Sequence, residues 1–185
     1  MPVVHRDPAA YRHVLALRVV RRYLPDPIPP AEMEAVLEAG RWTGSSKNRQ
    51  GWAFVVVDDR PGLERLATAG DFTGPIRASA ATVALVRLPR GNDFDIGRAA
   101  QSIMLAAAAR GIGSCPIAFH RPDQAAEMLG LPEGHNCTWA VALGYPDEAA
   151  EVEQRRQAAA AGFRGRRPLT ELAHRGRFGG GAGQM

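Results

Sequence analysis

IGRAAQSIMLAAAAR, residues 96–110, is the part of the sequence that most constrains the architecture. Alanine, leucine and methionine favour helix, and two arginines are the only charged residues in this run. A helix with so little charge is expected to be packed on most of its circumference. The sequence therefore predicts a central helix around which the domain is built.

Shorter elements are predicted on both sides of this helix. Runs of apolar and β-branched residues predict core strands at residues 54–57, 81–88 and 137–144. Apolar residues at helical spacing predict helices at residues 7–19, 30–40, 62–70 and 122–131. Residues 111–120 are predicted to break the central helix. Residues 147–162 lack a core-like apolar face and are predicted to form an arm or linker.

Length and composition fit one domain. The chain has 185 residues, 45% of them hydrophobic, which is enough for an ordinary core. We expect a single domain over residues 1–178 and a flexible glycine-rich tail over residues 179–185. The sequence contains no membrane-spanning or signal-peptide pattern, and Cys115 and Cys137 have neither metal-ligand nor CxxC spacing. These features favour a cytoplasmic protein without a membrane partner.

The net charge of +4 is a small excess, and it is concentrated in two arginine clusters. The clusters lie at residues 18–22 and 164–167. Aromatic residues are not interleaved with the basic ones, so nucleic acid is not an expected partner. Two local clusters fit a small anion as well as they fit a polymer.

Three common kinds of site are not supported by the residues. The five histidines lack zinc-ligand spacing, so no metal site is predicted. The stretch GIGSCP, residues 111–116, follows a helix and has proline where a dinucleotide-binding fingerprint has its last glycine. No GxSxG motif occurs, and a hydrolase is therefore unsupported.

Polar residues crowd the stretch GSSKNRQGW, residues 44–52, directly before a predicted strand. Such a cluster is often only a surface turn. Three further blocks accompany it in order along the chain: RVVRRYLPDPIPPAEMEAVLEAGRW at residues 18–42, DIGRAAQSIMLAAAARGIGSCPI at residues 95–117, and LGLPEG, VALGYP and RGRRPLTEL between residues 129 and 172. In these four blocks the chain resembles the nitroreductase family of FMN-dependent oxidoreductases.

The resemblance implies an α+β sandwich with a mainly antiparallel sheet flanked by helices. It also implies a homodimer with FMN at the interface, where both chains line each site. The implied reaction passes hydride from NADH or NADPH through flavin N5 to a nitroaromatic, quinone or similar acceptor in two steps. Two alternatives stay open: a specialised enzyme of the same fold, such as a dehydrogenase, dehalogenase or flavin-degrading enzyme, and a flavin-binding module without turnover.

Two sets of FMN contacts follow from the resemblance in the middle of the chain. Hydroxyl and amide side chains would line the ribityl chain and ring of the flavin, and these are Ser45, Ser46, Asn48 and Gln50. The backbone amides of Ile117 and Ala118 would approach N5 and the neighbouring carbonyl.

The arginine clusters are implied to bind the two charged ends of FMN. Of Arg18 and Arg21, one would meet the phosphate and the other the pyrimidine edge, where Arg21 would tune the flavin. No catalytic side chain is implied, because the chemistry is centred on the flavin. Guanidinium groups suit phosphate geometry, and three in the tail would also meet it: Arg164, Arg166 and Arg167.

Five residues depart from the family pattern. Leu17 and Val19 stand where many members have Arg and Ser, which removes two possible contacts to the phosphate. Gly44 and Gly51 replace two prolines, and Lys47 adds a charge close to the expected ring. These departures predict weaker flavin binding than the family usually shows.

Overall fold

The structure is a computed structural model that describes residues 8–160, 162 and 165–180. The chain divides into two units, residues 1–151 and residues 152–185, and the prediction of one domain over residues 1–178 stays a prediction. The helices and strands are, in chain order, α1 (Pro8–Ala16), α2 (Pro30–Arg41), β1 (Trp52–Val57), α3 (Arg60–Leu66), α4 (Gly74–Ala78), β2 (Ala81–Arg87), α5 (Asp93–Ala109), β3 (Gly113–Ala118), α6 (Pro122–Met128), β4 (Asn136–Gly144) and α7 (Glu148–Ala160).

The strands form one sheet in the order β1-β2-β4-β3, and each neighbouring pair is antiparallel. Trp52 of β1 stands opposite Arg87 of β2. At the other end of β2, Ala81 stands opposite Leu143 of β4, which in turn stands opposite Ser114 of β3. Strands β1 and β3 are therefore the two edges of the sheet.

Helices cover both faces of the sheet because successive side chains of a strand point to opposite faces. In β2, Val83 and Leu85 join the core that contains residues of α2 and α5. Ala84, between them, joins the core that contains residues of α3, α4 and α6. Each face thus has its own buried apolar core, and the predicted α+β sandwich with an antiparallel sheet is confirmed.

Helix α5 forms at the predicted central position but is only partly enclosed. Asn92 caps its start by accepting a 2.9 Å hydrogen bond from the amide of Asp95. Its core-facing apolar side chains are Ile96, Ala99, Ile103, Met104 and Ala107. Phe94, Gly97 and Gln101 lie on the opposite side, and Phe94 is 75% exposed. The expected packing around most of the helix is therefore not achieved within the described part of one chain.

Two predicted irregular segments are regular elements. Residues 111–120, predicted as a break, contain β3. The strand was not predicted because Pro116 donates no ladder hydrogen bond and is therefore atypical of a strand. Proline is tolerated there because β3 is an edge strand. Residues 147–162, predicted as an arm or linker, contain α7, which begins where Asp147 Oδ1 accepts from the amide of Ala150 at 3.0 Å. Alanine, glutamate, glutamine and arginine favour helix without needing an apolar face.

The ends of the first predicted helix and of the chain also differ from expectation. Helix α1 ends at Ala16 instead of near Val19, because Val19 already pairs with Ser114 of β3. The short helix α4 was not predicted. Residues 181–185 of the predicted tail lie outside the described residues. Within the described part of the chain, we find no helix with the length and apolar character that crossing a membrane requires.

Candidate cofactor site

Residues 18–24, here called the arginine segment, meet the outer edge of β3 at Ser114 and then pair with Tyr145 and Pro146, beyond the end of β4. Val19 forms a parallel bridge with Ser114, and the amide of Val20 donates to the carbonyl of Ser114 at 2.9 Å. Gly113 permits this close approach, since a Cβ there would lie 2.7 Å from the Val20 side chain. The arginine segment is therefore docked against the sheet edge by its main chain.

The other side of the arginine segment is held by the start of α7. Glu151 Oε1 accepts hydrogen bonds from the amides of Arg21 at 2.7 Å and Arg22 at 2.9 Å. The carbonyl of Arg22 accepts from the amide of Asp147 at 3.0 Å. The main chain at these arginines is thus fixed from both sides, while both side chains are exposed.

The guanidinium groups of the segment face solvent in different ways. Arg18 Nη1 donates to the carbonyls of Leu15 at 2.7 Å and Leu17 at 2.9 Å, at the end of α1. A cation there satisfies carbonyls that the helix leaves unpaired. Arg21 is exposed beside β3, close to the Cys115 thiol. Burial raises the pKa of that thiol to about 11, which the Arg21 cation only partly opposes, so Cys115 stays protonated at neutral pH.

A groove of about 320 Å³ lies beside the arginine segment, and its lining contains both a cation, Arg18, and a carboxylate, Glu148. Arg18, His13 and Ser114 contribute to its lining. The buried Oγ of Ser114 has no hydrogen-bond partner among the described residues. The Arg18 guanidinium suits the phosphate end of FMN, whereas the Ser114 hydroxyl is buried beneath the groove surface.

Residues 44–51, here called the polar loop, lie before β1 and are fastened to α5. Ser45 Oγ accepts from the amide of Gln50 at 2.8 Å, which closes the loop on itself. Arg98 Nη1 of α5 donates to the carbonyl of Gly44 at 2.6 Å. Ser45 is half-buried, and the other predicted FMN contacts of the loop are exposed: Ser46, Asn48 and Gln50.

The polar loop holds three residues in left-handed conformations. The φ angles are 54° at Lys47, 51° at Asn48 and 48° at Gln50. Residues other than glycine seldom adopt such angles, which cost about 1–3 kcal/mol each and cluster at ligand sites. Gly51 follows them, and a Cβ there would lie 2.4 Å from Gly91 Cα. The glycine that replaces the family's proline is thus required by this backbone contact.

The register of β3 separates the two amides that were predicted to approach the flavin. The amide of Phe119 donates to the carbonyl of Thr138 at 2.8 Å. Because hydrogen-bonded pairs alternate along an antiparallel ladder, the amide of Ile117 faces Ala140 on β4. The amide of Ala118 faces the outer edge. Of the two predicted amides, the one at Ala118 is therefore better placed for a ligand.

The arginine segment and the polar loop lie far apart within one chain. The arginine segment docks at Ser114 of edge strand β3, level with Ala81 of β2. The polar loop enters edge strand β1 at Trp52, level with Arg87 of β2. Three strand spacings separate the edges, roughly 14 Å, and the six residues between the two levels add roughly 20 Å along the strands. The two predicted halves of the site therefore do not meet in one chain.

The tail arginines belong to the second unit. Arg164 lies outside the described residues. Arg166 is exposed, and Arg167 forms an ion pair with Glu171 at 3.1 Å from Nε to Oε2. Their predicted contact with a phosphate stays a prediction.

Two residues with a place in this site were missed by the sequence analysis. Ser114, whose carbonyl docks the arginine segment, lies in GIGSCP, a stretch predicted as a break after the central helix and as the end of one family block, with no role for its serine. Glu151 lies in a segment predicted as an arm, and an acidic residue in the first turn of a helix was the signal that could have indicated an anchoring role.

Comparison with known proteins bears on the family and the fold. A family model described as the Nitroreductase family matches residues 16–70 and 76–145. A protein of Archaeoglobus fulgidus whose name describes it as an NADH dehydrogenase/NAD(P)H nitroreductase is 30% identical over 142 residues, covering 71% of this chain and 82% of that protein. An NADPH-flavin oxidoreductase of Vibrio harveyi is 28% identical over 162 residues, covering 77% and 68%.

Solved structures share the fold. Nitroreductase A from Vibrio parahaemolyticus superposes with a TM-score of 0.78 at 23% identity, covering 93% of this chain and 77% of that one. The fold and family together define an enzyme class, the FMN-type NAD(P)H oxidoreductases, and confirm the predicted cofactor and co-substrate. The chain belongs to the nitroreductase family, as its four sequence blocks predicted.

Proposed function

We propose that this protein is a homodimeric oxidoreductase that uses FMN to transfer electrons from NAD(P)H to a nitroaromatic, quinone or similar acceptor. The observation that carries the proposal is the outer edge of β3, where Glu151 fixes the main chain of Arg21 beside the strand and the amide of Ala118 faces outward. Bound FMN supplies the redox chemistry by taking two electrons from the nicotinamide and passing them to the acceptor.

The chain's own residues orient the flavin and stabilise its charge. The Arg21 guanidinium, carried on a fixed main chain, would lie at the pyrimidine edge of the ring and would favour the reduced flavin, which carries negative charge there. The outward amide of Ala118 offers a donor to the ring. Arg18 offers its guanidinium to the phosphate from the groove that it lines.

A second copy of the chain is proposed to complete each site. The polar loop lies at the opposite edge of the sheet from the arginine segment, so we assign it to the flavin held by the partner. An uncharged stripe on α5, formed by Phe94, Gly97 and Gln101, offers a contact face for that partner. Isologous contacts of this kind are the commonest way in which identical chains pair.

Turnover of a nitroaromatic by the FMN-loaded protein tests the proposal. We expect steady oxidation of NADH or NADPH that depends on both FMN and the acceptor, with FMN-free protein as the control. Bound FMN without any NAD(P)H oxidation would instead indicate a flavin-binding module. Reduction of bound FMN by NAD(P)H that neither nitroaromatics nor quinones reverse would indicate a specialised enzyme.

A further inference from the structure

Glu151 is a buried carboxylate whose position the proposed reaction does not by itself explain. It lies in the first turn of α7 and is 3% exposed. It also lies beyond residue 145, where the family match ends. A buried carboxylate is costly unless hydrogen bonds compensate its lost hydration.

The two amides that Glu151 accepts belong to Arg21 and Arg22, at 2.7 and 2.9 Å from the same oxygen, Oε1. Charge-assisted bonds from backbone amides are short and strong, so they restrain the main chain more than neutral bonds would. A shift of α7 or of this side chain would therefore move the Cα atom that carries the Arg21 guanidinium.

Tyr23 lies close enough to Glu151 and Arg21 for both charges to act on its hydroxyl. Burial raises the pKa of the Tyr23 hydroxyl, with further increases from Cys115 and Glu151 and an opposing effect from Arg21. The Tyr23 hydroxyl donates to the carbonyl of Val20 at 2.6 Å, inside the arginine segment. The carboxylate, the phenol and the guanidinium thus belong to one structural unit at the edge of β3.

We infer that Glu151 is a positioning residue for the flavin site: it fixes the main chain of Arg21 and Arg22 so that the Arg21 guanidinium is held against the reduced flavin. This inference rests on the proposed function, because it requires FMN beside Arg21. In this role Glu151 touches neither cofactor nor substrate and acts through the arginine segment.

Substitutions at Glu151 separate the hydrogen-bond role from a packing role. Glu151→Ala removes the acceptor and should weaken the binding of oxidised FMN about threefold. The binding of reduced FMN should weaken by a factor about ten times larger, and this tenfold ratio lowers the two-electron potential by about 30 mV. Glu151→Gln keeps an acceptor oxygen but forms neutral hydrogen bonds, so it should lower the potential by less than Glu151→Ala does. Glu153→Gln removes a charge from an exposed position of α7 and is the matched control.

A double variant decides whether Glu151 acts through Arg21. In the Arg21→Ala background, Glu151→Ala should lower the potential no further, because the group that it positions is gone. Glu151→Ala that melts at a lower temperature but keeps the wild-type FMN affinity and potential would overturn the inference and leave a packing role. If Glu151→Ala does not fold, Glu151→Asp, which withdraws the carboxylate by one methylene, replaces it with the same expected direction.

The outcomes also distinguish this inference from the proposed function. A wild-type protein that binds no FMN would refute the proposed function itself. A wild-type protein whose potential depends on Arg21 but not on Glu151 would refute only the positioning role.

Discussion

Arg21 is the residue on which the proposed chemistry depends most, because its main chain is fixed while its side chain is exposed. Arg21→Ala should keep the fold and some FMN but lower the two-electron potential. Losing a hydrogen bond to a charged group costs about 1.5–3 kcal/mol, which corresponds to roughly 30–65 mV for two electrons. Spectroelectrochemical titration measures the potential, and stopped-flow reduction by NAD(P)H should slow in parallel.

Arg22→Ala is the matched control for that substitution, since the Arg22 amide also donates to Glu151 and its side chain is also exposed. It should leave the potential near the wild-type value. An unchanged potential in Arg21→Ala would show that Arg21 serves the phosphate or the surface. Loss of flavin reduction on replacing a histidine, such as His120, would show that a proton donor takes part.

Gly51 shows why one departure from the family pattern does not loosen the polar loop. A Cβ at Gly51 would meet Gly91 Cα at 2.4 Å, and a backbone atom cannot move aside cheaply. Gly51→Ala should therefore lower the free energy of unfolding by about 1–3 kcal/mol. Gly74→Ala, whose Cβ would meet nothing within 4 Å, is the control and should change it by less than about 0.5 kcal/mol. Equal denaturation curves for both variants would contradict the assigned contact.

At the scale of elements, the sequence predicted well what depends on local pattern. The central helix, the second helix from Pro30 and strands β1, β2 and β4 form where apolar periodicity and β-branched runs placed them. Strand β3 was not predicted because proline is rare in strands, and Pro116 is tolerated here because β3 lies at the edge of the sheet. Helix α7 was not predicted because it forms from a cap and from residues with high helix propensity, without the apolar face by which helices were recognised.

The candidate site was predictable only in part for the same reason. Residue types in the blocks indicated which side chains suit FMN, yet sequence spacing could not place the polar loop and the arginine segment at opposite sheet edges. That separation depends on strand order, which forms from contacts distant in the sequence. The hydrogen bond from the Arg21 amide to Glu151 joins residues 130 positions apart, and no local pattern encodes it.

The exposed stripe of α5 is the element that should pair two chains. Gln101→Glu would place like charges near each other across a twofold contact. We expect the dimer dissociation constant to rise at least about tenfold, which equals about 1.4 kcal/mol, in sedimentation equilibrium. Gln124→Glu makes the same change at an exposed position of α6 and should leave association unchanged. Equal association of both variants would move the interface elsewhere.

At the scale of the whole molecule, flavin binding and pairing should be one event. If each site takes its arginine segment from one chain and its polar loop from the other, a monomer can hold FMN only weakly. The affinity for FMN should therefore fall when the protein is diluted below its dimer dissociation constant. A monomer with fully bound FMN at micromolar concentration, seen by sedimentation velocity at the flavin wavelength, would contradict a shared site.

The central claim is that the arginine-lined edge of β3 holds FMN by its ring and its phosphate. An absorbance titration of the purified protein with FMN, and in parallel with riboflavin, tests it most directly. We expect a shifted flavin spectrum that saturates at one FMN per chain. Riboflavin should bind at least about tenfold more weakly because it lacks the phosphate, a difference of about 1.4 kcal/mol. A protein whose presence leaves the FMN spectrum unchanged, and which retains no flavin after gel filtration, would contradict it.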